Sequence, residues 1–446
     1  MPDEIKQKVF EERPILKDVY EHFGNEPILD YSARSLKFGA SLEPERVASF
    51  IEILKKEIEK LLGKDIAEKA GDDVKKLGYV STIDHHGLPC LPSFFQGDLV
   101  QSFANKQNGV NTVLVLSCAT ISLDNHSYPR GITFYKDGKL CKIPIFNSKD
   151  RSNCTYLQKA YTKNEIQKFF IKIPELFSNI KIKELFESKE VLSFEYYWQQ
   201  VSHLNFHLWK MIPGCEDVNF VEIPEELIAI NLIQKAHIDK GTLISKMLFN
   251  QKWLDAFEEL FDGVTGSFNS KTGKGTFLFW GAEGSMRIRL NRRGQDLVDL
   301  NGKIFAKLEP EEIKKSLAEG KLMPNMSLCM IMFSFYHGLT LGGGYSQVDY
   351  LTVIKKRYLK MLRKFDENKE AKKVEKIKTD HMGGDYVFMK PKSNGVSSPK
   401  NIFDVFITLP VFSEKGLTDS INDVKLSEAI DDVLPEVYKM LYGAKK

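Results

Sequence analysis

The chain has 446 residues, 42% of them hydrophobic and 11% aromatic, enough apolar material for two or three lobes or one large α/β body. Lys and Arg total 63 against 60 Asp and Glu, a net charge of +3, so the basic stripe that marks a nucleic-acid binder is lacking. The six cysteines are dispersed without CxxC spacing, which argues against a zinc ribbon or a dithiol redox pair.

The N-terminal MPDEIKQKVFEERPILKD has no apolar signal-peptide core. The longest apolar stretch, 326–344, is interrupted by Ser, His and Gly and falls short of the roughly 20 apolar residues of a membrane helix. It reads as buried core. A soluble, cytoplasmic protein in a reducing setting, with no membrane partner, is the expectation.

In chain order, Val47, Phe50, Ile51, Leu54, Ile58, Leu61 and Leu62 recur at helical spacing within 44–77, and Gly78 ends that helix. YVSTI has strand composition, and LPSFFQGDLVQSFANKQ returns to helix after the DHHG turn. NTVLVLSC (111–118) is the clearest buried strand. GITFY and KLCKIPIF form a hairpin around the Asp137-Gly138 turn signal. From 155 to 262 the pattern is mainly helical. EYYWQQVSHLNFHLWKMI (195–212) reads as an amphipathic helix, and Pro224 starts another, with Glu225 and Glu226 in a first turn that suits the helix dipole. A β-hairpin is predicted over 274–294, then a short helix with a Gly stop, the apolar 326–341, a long basic helix over 348–378, a polar loop over 366–400 and a final amphipathic helix.

These elements predict an α/β fold with a mixed or parallel sheet core in Rossmann-like layers, a helical insertion and a later β-hairpin. The expected divisions are an N-terminal helical segment (1–77), an α/β core carrying the site (78–154), a mainly helical region (155–262), a hairpin, apolar core and Gly-rich segment (263–365), and a polar linker with a C-terminal strand and helix (366–446).

Asp84-His85-His86-Gly87 follows a predicted strand, where open α/β sheets bind ligands. Asp84 suits a hard cation or an imidazole to orient, and histidine is the commonest transition-metal ligand, so Asp84, His85 and His86 are candidates for catalysis or for a divalent metal. Cys118 ends the second strand, where it is either a nucleophile with a lowered pKa or a small buried hydrophobe. Asn125, His126 and Arg130 share the turn LDNHSYPRG, and a guanidinium there can grip phosphate or carboxylate as a fork. If the two strands are parallel neighbours, both turns lie at one sheet edge. Gly343, Gly344 and Gln347 in HGLTLGGGYSQVDYL offer backbone amides and a helix start to an anion. His203 and His207 share one helix face but lie among aromatics and read as packed. Arg287, Arg289, Arg292 and Arg293 read as solvating an edge strand.

IDHHG resembles the Asp-His-His motif of the DHH phosphoesterases, and GLTLGGG resembles the glycine-rich motif of their second domain. This resemblance implies metal-dependent phosphoester hydrolysis. The family's upstream aspartate-rich metal motif has no counterpart: residues 1–83 hold a single histidine, His22, and Asp30 and the Asp72-Asp73 pair follow no strand. HHGLPCLPSFF and LGGGYSQVDYL resemble motifs of the bacillithiol cysteine-adding enzymes, which implies a nucleotidyltransferase-like core and carbon–nitrogen or carbon–sulfur chemistry. Neither family is adopted. The reading is an enzyme, a hydrolase or a transferase/ligase, acting on a small anionic substrate that bears phosphate or carboxylate, a nucleotide included. The alternatives are a metal-dependent phosphoester hydrolase and a non-catalytic ligand- or partner-binding protein.

Overall fold

The structure, a computed structural model, describes residues 3–37, 43–136, 139–173, 180–390, 392–393, 396–397, 399–408, 417 and 420–443. The Asp137-Gly138 turn signal lies outside them. Helices Pro44–Leu62 and Lys64–Leu77 pack against each other. The second ends at Gly78, whose left-handed φ of 62° lets its N–H return to the Val74 carbonyl. The chain then enters β1 (Tyr79–Ser81), crosses through helix α1 (Pro92–Gln107) and returns as β2 (Thr112–Ser117).

β1 and β2 pair in parallel, Ser81 opposite Val115. A further strand, β3 (Asn219–Pro224), extends the sheet beside β2, with Thr112 opposite Asn219 through Ser117 opposite Pro224. The last, β4 (Thr340–Gly342), lies on the other side of β1. The order is β4-β1-β2-β3, all parallel, and the remaining sheets are small and antiparallel or single hairpins. This is a mixed helix/strand protein around one parallel sheet. The sheet draws on residues 79 to 342 and so gathers three of the five segments expected from the sequence.

Alternate residues of the strands enter two separate hydrophobic clusters, as the two-residue period of a strand requires. Val80, Leu114, Leu116, Val221 and Ile223 face one, with Leu54, Ile58 and Phe333. Tyr79, Val113, Val115 and Phe220 face the other, with Phe95, Leu99 and Trp209. Helix α2 (Tyr197–Trp209) is buried on nearly all sides, where an amphipathic helix was expected. It packs against β3 and also meets helices Pro44–Leu62, Ile180–Phe186 and Lys189–Ser193, which leaves little of it to water. Helix α3 (Glu225–Leu232) leaves β3 directly, and helix α4 (Gln347–Lys364) follows β4 after the glycines.

Both hairpins expected from the sequence are present, Gly131–Lys136 with Lys139–Pro144 and Phe279–Glu283 with Met286–Arg289. The predicted long basic helix is two, α4 and Asn368–Lys376, because Asp366 takes a left-handed φ of 59° between them. The C-terminal helix is likewise divided, into Leu426–Asp431 and Leu434–Tyr442, with Pro435 opening the second. No described helix is long and apolar enough to cross a membrane.

Candidate functional site

The four parallel strands deliver their C-terminal ends to one edge of the sheet, the usual ligand-binding crevice of open α/β sheets. β1 runs on into 82–87, β2 into 118–120, β3 into 225–226 and β4 into 343–345. The β1–β2 ladder continues past the strands: Cys118 N–H donates to the Asp84 carbonyl at 3.0 Å, and His86 N–H to the Cys118 carbonyl at 2.9 Å. His85 therefore sits opposite Cys118.

Asp84, His85 and His86 diverge, as successive residues of an extended chain must. The Asp84 carboxyl is in hydrogen-bonding contact with that of Asp98 on α1. Burial, then the charges of Asp98 and Glu222, push the Asp84 carboxyl well above the usual carboxylate range, and burial takes Asp98 up to about 8. Two carboxyl groups in contact cannot both ionise, so the pair keeps at least one proton at neutral pH. Oδ1 of each is buried without a hydrogen-bond partner. Together with His85, Ser127 and Glu222 they line a cavity of about 10 Å³, room for about one water molecule.

His85 turns toward LDNHSYPRG. Its Nδ1 lies 3.2 Å from the Ser127 hydroxyl, and its ring meets His126 and Phe94 edge-on at 4.9 and 5.6 Å. Burial, then His126, push its pKa down to about 3. His86 points into the fold and is fully buried. Its Nε2 is 2.9 Å from the Trp198 carbonyl, which can only accept, so Nε2 carries the hydrogen. Its Nδ1 meets the Ser117 hydroxyl at 2.7 Å, with Glu222 3.3 Å away. With both nitrogens engaged, His86 ties β1 to β2 and α2. Glu222 also accepts from the Asn205 amide.

The structure brings Asn125, His126 and Ser127 around His85. Arg130 is not brought to the histidines. Its guanidinium lies 3.7 Å from Asp124 and over the Tyr128 ring, and its backbone clamps Leu123 and Ile145.

Gly343, Gly344 and Gln347 do reach the same edge, but the protein's own side chains occupy the turn. Gln347 donates to the Thr82 hydroxyl at 2.6 Å and lies over Gly343, and a Cβ at Gly344 would overlap the Asp385 carboxylate. The segment carrying Asp385, read from the sequence as a polar loop, pairs beside Gly343 and crosses α1 at Gly97, where a Cβ would lie 2.8 Å from the Asp385 nitrogen. Asp385 holds a left-handed φ of 68° and accepts from Ser93 and from the Tyr345 N–H. Burial pushes its carboxyl up to about 7.

Beside Asp84, Cys118, Glu225 and Glu226 place one ligand atom each within 4.8 Å of one another. Glu226 accepts the Ala119 N–H at 3.1 Å and the Thr120 N–H at 2.8 Å. Glu225 is buried, and its Oε1 has no partner. Burial, then Glu226 and Glu225, push the Cys118 thiol well up, the reverse of what activates a nucleophile. Arg287 reaches this turn and donates to the Thr120 carbonyl. A groove of about 720 Å³ opens alongside, lined in part by Tyr156, Trp198, Leu227 and Ile230, and Tyr156 donates its N–H to the Ala119 carbonyl at 2.9 Å. Its lysines Lys60, Lys159 and Lys321 each pair with a glutamate of the same groove.

The edge is thus acidic. Asp98, Glu222, Glu225, Glu226 and Asp385 escape sequence reasoning because an acid in a helix or loop reads as solvated until its burial is known. The one available signal, the Glu225-Glu226 pair directly after Pro224, fits an ordinary helix start. Compared with known proteins, the chain matches no protein-family model and no curated relative.

Proposed function

We propose that this protein is an enzyme acting on a small polar substrate at the C-terminal edge of its parallel sheet, with Asp84 and Asp98 as the proton-exchanging pair. The observation that carries the reading is the contact between these two buried carboxyls, each with a free oxygen, beside a cavity the size of one water molecule. A carboxyl pair that shares one proton can take a proton from water or a substrate hydroxyl and return it to a leaving group, which suits hydrolysis or group transfer. Helices on both faces of the sheet, suggested by its two hydrophobic clusters, make the layering Rossmann-like in this reading.

The buried acids restrict the substrate. Phosphate or carboxylate brought alone to this edge opposes ionisation of the Asp84–Asp98 pair still further, so the small anionic substrate expected from the sequence enters with a compensating cation. Metal-dependent phosphoester hydrolysis is the second reading, favoured by the grouping of Cys118, Glu225 and Glu226.

A thermal-shift screen of nucleotides, sugar phosphates and amino acids, with and without divalent cations, tests both. Binding by the wild type, followed by turnover that D84N and D98N lose, is the expected result. Equal turnover in D84N removes the acid pair from the mechanism. Binding without turnover leaves a ligand-binding protein.

A further inference from the structure

We propose that Cys118, Glu225 and Glu226 form the ligand set of a zinc-class divalent metal ion held between the C-terminal ends of β2 and β3. The proposal goes beyond the acid–base reading of Asp84 and Asp98 and uses neither residue.

Three observations point to a ligand. First, the donor atoms already stand at coordination spacing. Cys118 Sγ is 3.7 Å from Glu226 Oε1. Bonds of about 2.3 Å to sulfur and about 2.0 Å to oxygen at a tetrahedral angle place the two donors about 3.5 Å apart. Glu225 closes the group, all three atoms lying within 4.8 Å of one another.

Second, Glu225 is 2% exposed, and its Oε1 has no hydrogen-bond partner. A buried carboxyl beside a thiol and a second carboxyl is costly to ionise unless a cation completes it, and otherwise keeps its proton. The nearby cation, Arg287, is spent on the Thr120 carbonyl and the face of Trp280.

Third, Glu226 is held in place by backbone amides, two of which reach Oε1 itself. The Ala119 and Thr120 amides fix its carboxylate, the kind of outer-shell support that orients a metal ligand. The sequence builds this directly: β2 ends in Ser117-Cys118-Ala119-Thr120, β3 ends in Pro224-Glu225-Glu226, and the register sets Ser117 opposite Pro224.

The donor set selects the ion. One thiolate and two carboxylates mix soft and hard ligands, which suits zinc and its neighbours over magnesium or calcium, ions that prefer all-oxygen shells. Three protein ligands leave a fourth position for water or a substrate oxygen, the arrangement of catalytic zinc sites. Cys118 is only partly buried, at the end of β2 where the crevice lies. A metal there would supply the cation that an anionic substrate requires at this edge.

The test uses the tag-free full chain, stripped with a chelator and titrated with Zn²⁺ against a chromophoric competitor and with Co²⁺ by absorption spectroscopy. One equivalent of each is expected to bind, with cobalt giving a near-ultraviolet thiolate charge-transfer band. The near-isosteric E225Q should weaken binding at least about tenfold. C118S should abolish the band. Wild type binding no tighter than E225Q overturns the proposal. So does a band that survives in C118S and disappears in C329S, since Cys329 is a buried thiol electrostatically coupled to this group. Circular dichroism of each stripped variant separates loss of a ligand from loss of fold. The cobalt spectrum does not read Asp84 or Asp98, so failure here is distinct from failure of the acid pair.

Discussion

Replacing Asp385 with Asn should stabilise the protein above neutral pH and lose that advantage in acid. Asp385 is 4% exposed, and burial takes its carboxyl from an ordinary 3.8 to about 7. Because the folded value lies above the unfolded one, the native state binds the proton more tightly. The stability this confers is complete below pH 3.8 and is lost as pH rises through about 7. At 1.36 kcal/mol per pH unit, the full span is about 4 kcal/mol. Asparagine never ionises and keeps an acceptor for Ser93 and the Tyr345 amide. It also tolerates the left-handed φ of 68°, so it adds no backbone strain. The stability gap between D385N and wild type should therefore widen by about 3 kcal/mol from pH 5 to pH 8, since at pH 5 part of the ionisation cost is already present. Urea unfolding of both proteins across this range measures the gap. The buried histidines His337 and His381, each pushed down to about 4, weaken both proteins equally in acid and cancel in the difference. A gap constant across the range refutes the argument, because it would mean that Asp385 is ionised in the fold without penalty.

His86→Ala should cost about 3 kcal/mol, since it opens a cavity and leaves the Ser117 hydroxyl and the Trp198 carbonyl unpaired. His85→Ala, which loses the Ser127 and Asn125 contacts and two ring edges, should cost about 1 kcal/mol, and urea unfolding giving the reverse order would contradict the placement of the two rings. Gly344→Ala should cost about 2 kcal/mol by driving its Cβ into the Asp385 carboxylate. Because the clash is with one side chain, G344A combined with D385A should cost at least about 1 kcal/mol less than the two separately, and strict additivity in a double-mutant cycle would place the strain elsewhere.

Much of the local structure could be read from the chain. Val113 to Leu116 form a strand because β-branched and aliphatic residues in a row have few other homes, and Gly78 stops a helix because it alone takes the left-handed turn cheaply. Both hairpins follow from alternation and turn residues. The adjacency of DHHG and LDNHSYPRG follows from pairing the two predicted strands in parallel, which the structure does, whereas the glycine-rich segment reaches the same edge through a strand the sequence does not signal. Strands β3 and β4 carry no such local signal. Asn219–Pro224 carries an acid at its centre and Thr340–Gly342 is three residues long, so their strand character comes from pairing with β2 and β1.

The side chains that define the site depended on tertiary structure to a greater degree. Periodicity and turn chemistry act over a few residues, and those a single chain displays. Whether Asp98, Glu225 or Asp385 meets water or another carboxyl depends on how separate strands, helices and loops pack together, which no local pattern displays. His85 and His86 are identical in the sequence, yet alternation along an extended chain sends one toward the crevice and the other into the core, where Ser117 and Trp198 hold it. Burial is a property of the packed assembly, so the sequence by itself placed the edge, and only the tertiary structure made it acidic.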